Sequence, residues 1–126
     1  MNVHRYQDEK GLNNAKEVVS NLSYVNGDLD EFISYMNHHH ISQRRGAMIA
    51  TVNPEIGYAV MKDDAYHQVV SSADYVLPDG VGVVQCRLTQ SPLKSRIAGF
   101  DVFMSMLDLA NKQSKSIFLY GAKRSA

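Results

Sequence analysis

The chain has no tryptophan, one cysteine, three prolines and no net charge, its 13 Lys and Arg being matched by 13 Asp and Glu. Each shortage excludes something. A lone cysteine, Cys86, cannot build a disulfide framework, so the fold has to stand on a hydrophobic core. Zero net charge removes the electrostatic footprint of a general nucleic-acid binder, and acidic tails and polybasic arms are absent, so no nucleic acid is expected as partner. Apolar runs stop at short segments such as YAVM (58–61) and IFLY (117–120), against the roughly 20 residues that span a bilayer. The chain is therefore not expected to cross a membrane. Its N-terminus, MNVHRYQDEKGLNN, carries no secretory apolar stretch, which makes a cytoplasmic location the expectation. What is present, 126 residues with 44% hydrophobic and 21% charged side chains, suits one globular domain able to bury roughly 65% of its unfolded surface.

Residues 1–17 read as a polar, disordered leader and 18–126 as the folded part. After an extended piece at 22–25, the turn signal Asn26-Gly27 precedes Asp28, which can cap a helix while Glu31 reaches back to the cap. Leu29, Phe32, Ile33 and Met36 then share one helical face, ending near His38, His39 and His40. A short apolar run at 47–51 predicts a buried strand, with Asn53 as the next N-cap and Pro54 in the first turn of a helix to about Met61. A second short helix starts at Asp63-Asp64 and carries Tyr66, Val69 and Val70. Residues 74–77 predict a strand stopped by Pro78, residues 80–88 and 99–111 predict helices, and 117–120 predict the last strand. Such alternation argues for an α/β protein, a Rossmann-like three-layer sandwich with a mainly parallel sheet.

In open parallel sheets, ligands bind beyond the carboxyl ends of the strands, where helix N-termini present unpaired amides. Asp79 stands at such an end, between a strand-ending proline and the glycines Gly80 and Gly82, which let a ligand approach the backbone. A carboxylate there can serve as general base, or it can cap the helix expected after it. The two glycines are only a fragment of a dinucleotide fingerprint, without a third glycine, and give weak support to a nicotinamide enzyme. Thr51 and Asn53 offer a hydroxyl and an amide to a sugar or nucleotide, or make a turn and a helix cap. Arg96, just ahead of a predicted helix, suits a diphosphate clamp or is a plain surface arginine, with Arg87 and Lys94 adding loose basicity around Pro92. The three adjacent histidines point in different directions on a helix and have no second cluster to complete a tetrahedral metal site, so they read as a solvated helix end. His67 reads as a surface or core residue and Cys86, with Val83, as a packed thiol.

Taken together, TVNPE (51–55), ADYVLPDGVGVV (73–84), RIAGFDVF (96–103) and IFLYGA (117–122) resemble, in order and near spacing, the blocks of the bacterial WecG/TagA/CpsF glycosyltransferases, glycosyltransferase family 26. The resemblance covers residues 20–122 and implies an inverting enzyme that moves an N-acetylmannosamine-type sugar from a UDP donor to a polyprenyl-diphosphate-linked N-acetylglucosamine, at the cytoplasmic face of the membrane. It implies no cofactor and no metal. By the same resemblance Asp79 matches the proposed catalytic base, Thr51 and Asn53 match positions lining its pocket together with the Gly80 and Gly82 block, and Arg96 matches an arginine that holds the nucleotide diphosphate. Family members continue past the block at Gly121-Ala122 with a further α/β half and a basic, apolar membrane-contacting segment, so the chain reads as a truncated N-terminal part. Two expectations follow: peripheral membrane contact belongs to the missing part, and an uncovered apolar face and sheet edge favour homo-oligomers. The alternative class is a non-catalytic α/β module that binds nucleotide or nothing.

Overall fold

Capping side chains and strand alternation divide the chain in the computed structural model, which describes residues 3–7, 13–19, 22–80 and 95–124. Val3–Gln7 (β1) and Asn13–Val19 (β2) are strands, in the stretch that composition reads as a polar leader. Strand pairing uses backbone groups that every non-proline residue owns, so a polar segment can be recruited by a neighbouring edge without an apolar face of its own. That edge is Leu22–Asn26 (β3), which pairs antiparallel with β2, while β2 pairs antiparallel with β1.

Beyond β3, Asp28 accepts the Glu31 N–H at 2.9 Å and starts α1 (Leu29–Met36). The helix runs on into a wide π-helical turn, Asn37–Ile41, which holds the three histidines. Ile49–Val52 forms β4, after which Asn53 accepts the Ile56 N–H at 2.8 Å and caps α2 (Pro54–Lys62). Pro54 sits in the first turn, where a missing N–H costs no helical bond. Asp63 ends α2 and caps α3 (Asp64–Ser71) by accepting the Tyr66 N–H at 3.1 Å. Tyr75–Pro78 is β5 and Gly99–Lys112 is α4.

The sheet order is β1-β2-β3-β5-β4, and its last three strands are parallel, with Tyr24 opposite Val76, Thr51 opposite Leu77 and Val52 opposite Pro78. Alternation along these strands makes two cores. Leu22, Tyr24, Val52 and Val76 pack on one face with Val60 of α2 and Val70 of α3. Val25, Tyr75 and Leu77 pack on the other with Phe32 of α1 and Val102 of α4. The result is the expected three-layer α/β sandwich, its sheet in the middle with helices on both faces of the parallel strands.

Two expectations are corrected. Residues 117–120 pair with no strand among the described residues, and Phe118 and Tyr120 are 87% and 96% exposed. Their apolar pattern suits a buried strand, but a strand exists only where a neighbour takes up its backbone hydrogen bonds. The histidines are also more than a solvated helix end. The wide turn brings His40 Nε2 to 2.8 Å from the Tyr75 hydroxyl and its Nδ1 to 3.2 Å from the Arg45 carbonyl oxygen. His39 packs against the Tyr35 ring, the centroids 4.3 Å apart. The helix expected at 80–88, and with it Gly82, Cys86, Arg87 and Lys94, lies outside the described residues. Among the described residues no helix is long and apolar enough to cross a membrane.

Candidate functional site at the carboxyl edge of the parallel strands

The sheet itself positions Asp79. Its N–H donates to the Val52 carbonyl at 3.0 Å, carrying the β4–β5 ladder one step beyond Pro78. The chain then turns at Gly80, whose φ of +129° disfavours side chains and where a Cβ would stand 2.9 Å from Pro54 Cδ. This glycine lets the β5 turn close onto the start of α2, so the Asp79 and Asn53 segments lie side by side.

Arg96 reaches the same edge from a distant part of the chain. Ser95 donates its hydroxyl to the Gly27 carbonyl at 2.7 Å, and the Ile97 N–H donates to the Pro78 carbonyl at 2.9 Å. Ile97 is fully buried, so the segment is pinned on both sides of Arg96, whose side chain stays 53% exposed. Its guanidinium lies 3.4 Å from Asp79 Oδ1, the Asp79 side chain being 26% exposed. A long, solvent-exposed ion pair of this kind contributes about 1 kcal/mol or less.

The other carboxylate oxygen is held differently. Asp79 Oδ2 accepts the Gly99 N–H at 3.0 Å, at the first residue of α4. The residue before that helix, Ala98, has no side chain able to cap it, and Asp79 supplies a cap from twenty positions away. A negative charge at this helix end also complements the α4 dipole. The helix capped is α4, remote in sequence, whereas the one expected directly after Asp79 lies outside the described residues. Gly99 is required for the approach: a Cβ there would meet Thr51 Cγ2 at 2.8 Å and Oγ1 at 3.1 Å. Thr51 is half-buried beneath the first turn of α4.

The structure therefore brings Thr51, Asn53, Asp79, Gly80 and Arg96 to one edge, and Gly82 lies outside the described residues. Asn53 is exposed and spends its carbonyl oxygen on the α2 cap, which leaves its amide nitrogen as the group it can turn outward. Gly99 is the participant that sequence reasoning missed. Its signal was present: a helix that starts at Ala98-Gly99 lacks a cap of its own and has to borrow one. Among the described residues no group of three or more His, Cys, Asp or Glu is placed to hold a metal.

Chemically, the edge offers a carboxylate with one oxygen fixed by a backbone amide and the other paired to an exposed guanidinium. The N-termini of α2 and α4 open beside it, an arrangement suited to anionic ligands. Fold and edge together define a Rossmann-like α/β protein in which Asp79 and Arg96 meet beyond the carboxyl ends of parallel strands, the edge where such folds bind ligands. Residues 18–126 match the glycosyl transferase WecG/TagA/CpsF family, and the chain belongs to that family. It is 54% identical over 109 residues to the N-acetylglucosaminyldiphosphoundecaprenol N-acetyl-beta-D-mannosaminyltransferase of Bacillus subtilis (strain 168), covering 86% of this chain and 43% of the relative. The protein of the same name from Bacillus spizizenii is 45% identical over 84% of this chain and 42% of the relative. That of Staphylococcus aureus (strain NCTC 8325) is 30% identical over 90% and 46%. The chain spans less than half the length of these relatives.

Proposed function

We propose that this chain carries the base-bearing part of an inverting glycosyltransferase. The enzyme transfers N-acetylmannosamine, or a related sugar, from UDP to a polyprenyl-diphosphate-linked N-acetylglucosamine in the synthesis of teichoic acid or another envelope polysaccharide. The relatives' names supply the transferred sugar and the lipid-linked acceptor. The observation that carries the reading is Asp79, fixed at the strand edge by the Gly99 amide with Arg96 beside it. In this mechanism an Asp79 oxygen takes the proton of the acceptor hydroxyl as that oxygen attacks the anomeric carbon from the face opposite UDP. The new C–O bond forms while the bond to UDP breaks, and UDP leaves with the electron pair. Its growing negative charge is met by Arg96 and the helix N-termini. Thr51 holds the α4 end in place from below, while Asn53 and the backbone at Gly80 face the sugar and nucleotide, with Gly82 in the same block. A lipid-linked acceptor supports a reaction at the membrane surface, and a UDP-sugar donor supports its cytoplasmic face, with the protein as a peripheral partner.

The test is UDP release from UDP-N-acetylmannosamine with a short-chain lipid-linked acceptor, comparing the chain with Asp79→Asn. Loss of turnover in the variant is expected, and equal turnover by both would refute the base. The alternative reading is a non-catalytic module that binds nucleotide or nothing. Titration calorimetry with UDP identifies a module that binds nothing, which gives no heat, and the turnover assay identifies one that binds nucleotide without catalysis, which releases no UDP from the donor. Self-association through the apolar surface around residues 117–120 belongs to this second reading and is read by sedimentation.

A further inference from the structure

The two oxygens of Asp79 are held by bonds of different kinds. Oδ2 takes a backbone N–H at 3.0 Å from a helix end that cannot move away, because Gly99 is seated on Thr51 and the preceding Ile97 is fully buried. Oδ1 has a 3.4 Å contact with a guanidinium on a long side chain that is 53% exposed. The first partner is fixed and the second can leave. A diphosphate offers that guanidinium two or more charged oxygens in fork geometry, a better match than one carboxylate oxygen at 3.4 Å.

We propose that Arg96 is an exchangeable partner: without ligand it rests on Asp79 Oδ1, and an incoming diphosphate draws it off, leaving that oxygen open as proton acceptor while the Gly99 amide keeps the carboxylate aimed. This rests on the reading of Arg96 as the diphosphate-binding group and adds an order of events to it. Base and diphosphate site are coupled through one side chain, so the carboxylate becomes available when the leaving group is in place. Coupling of this sort is reciprocal, and Asp79 must therefore compete with the diphosphate for Arg96.

The competition is measurable without turnover. Inorganic pyrophosphate is titrated calorimetrically into the 126-residue chain and into Asp79→Asn, Arg96→Gln and the double variant. Asparagine at 79 keeps an oxygen for the Gly99 N–H, and Arg96 is largely exposed, so the variants retain the fold, which circular dichroism checks. Exchange predicts that Asp79→Asn tightens pyrophosphate binding by about 3- to 10-fold when Arg96 is present and by less than about 2-fold in the Arg96→Gln background. An equal gain in both backgrounds would mean that the carboxylate merely repels the anion, and overturns the exchange. Pyrophosphate binding that is unchanged by Asp79→Asn, or absent from every variant, overturns it as well. Failure of Asp79 as base shows separately, in the turnover assay, as activity retained by Asp79→Asn.

Discussion

Replacing Gly99 by alanine adds a single methyl group where the geometry leaves no room for it. The new Cβ would stand 2.8 Å from Thr51 Cγ2, 3.1 Å from its Oγ1 and 3.2 Å from its Cβ, so α4 or β4 has to shift. Forcing one extra carbon into a packed contact costs about 1–3 kcal/mol. A shift of α4 also stretches the 3.0 Å bond from Gly99 N–H to Asp79, a bond to a charged group of the kind that contributes about 1.5–3 kcal/mol, only partly recovered by water at this half-buried position. Against this, alanine is favoured over glycine in a helix by at most about 1 kcal/mol. The balance is a destabilisation of about 2 kcal/mol, or roughly 8 °C in Tm for a domain of this size. Gly57 is the control: it lies inside α2, and its added Cβ would come no closer than 3.7 Å to Tyr24 Oη, so Gly57→Ala should stabilise by about 0.5–1 kcal/mol. Urea unfolding followed by circular dichroism reads both. Pairing Gly99→Ala with Thr51→Ala, which removes the two closest atoms, should recover about 1 kcal/mol of the loss. The reasoning is refuted if Gly99→Ala matches wild-type stability, or if the two changes are simply additive.

Two further outcomes follow from the packing. Phe32 is fully buried and meets the Tyr75 ring edge to face at 5.8 Å, so Phe32→Ala should cost about 3–5 kcal/mol, whereas Phe100→Ala, at a side chain 72% exposed, should stay within about 0.5 kcal/mol; similar unfolding midpoints for the two would contradict the assigned core. Tyr75→Phe deletes the hydroxyl that bonds His40 and should cost about 1 kcal/mol in the same assay, with the His40 imidazole resonances shifting in NMR spectra; an unchanged His40 signal would show that the bond does not form in solution.

What could be read from the sequence was local. Asp28, Asn53 and Asp63 each accept the N–H three residues on, a relation that a short window of sequence contains in full. The two cores follow an equally local rule, since Leu22 and Tyr24 against Val25, or Val76 against Tyr75 and Leu77, separate by alternation along strands that were expected at 22–25 and 74–77 without their faces being assigned. The failures involve partners far apart in the chain. β1 and β2 exist through backbone pairing that composition does not report, and residues 117–120 have a strand's composition without a strand's neighbour among the described residues. His40 finds Tyr75 thirty-five positions away, across a wide turn that a regular helix would not make. At the site, the motif blocks picked out Thr51, Asp79 and Arg96, but not that Asp79 caps α4 or that Thr51 reaches that helix through the gap left by Gly99. Those relations depend on the sheet bringing the ends of β4 and β5 together.

The mixed sheet gives the molecule two unequal flanks. On one side the antiparallel β2 lies along β3 and closes the parallel block, whereas on the other β4 pairs only with β5 among the described residues. A further parallel strand can therefore join the block only beside β4, and, running the same way, it would deliver the loop at its own carboxyl end next to Thr51 and Asn53. A parallel strand that extends this sheet beside β4 therefore brings its residues toward the edge where Asp79 and Arg96 meet.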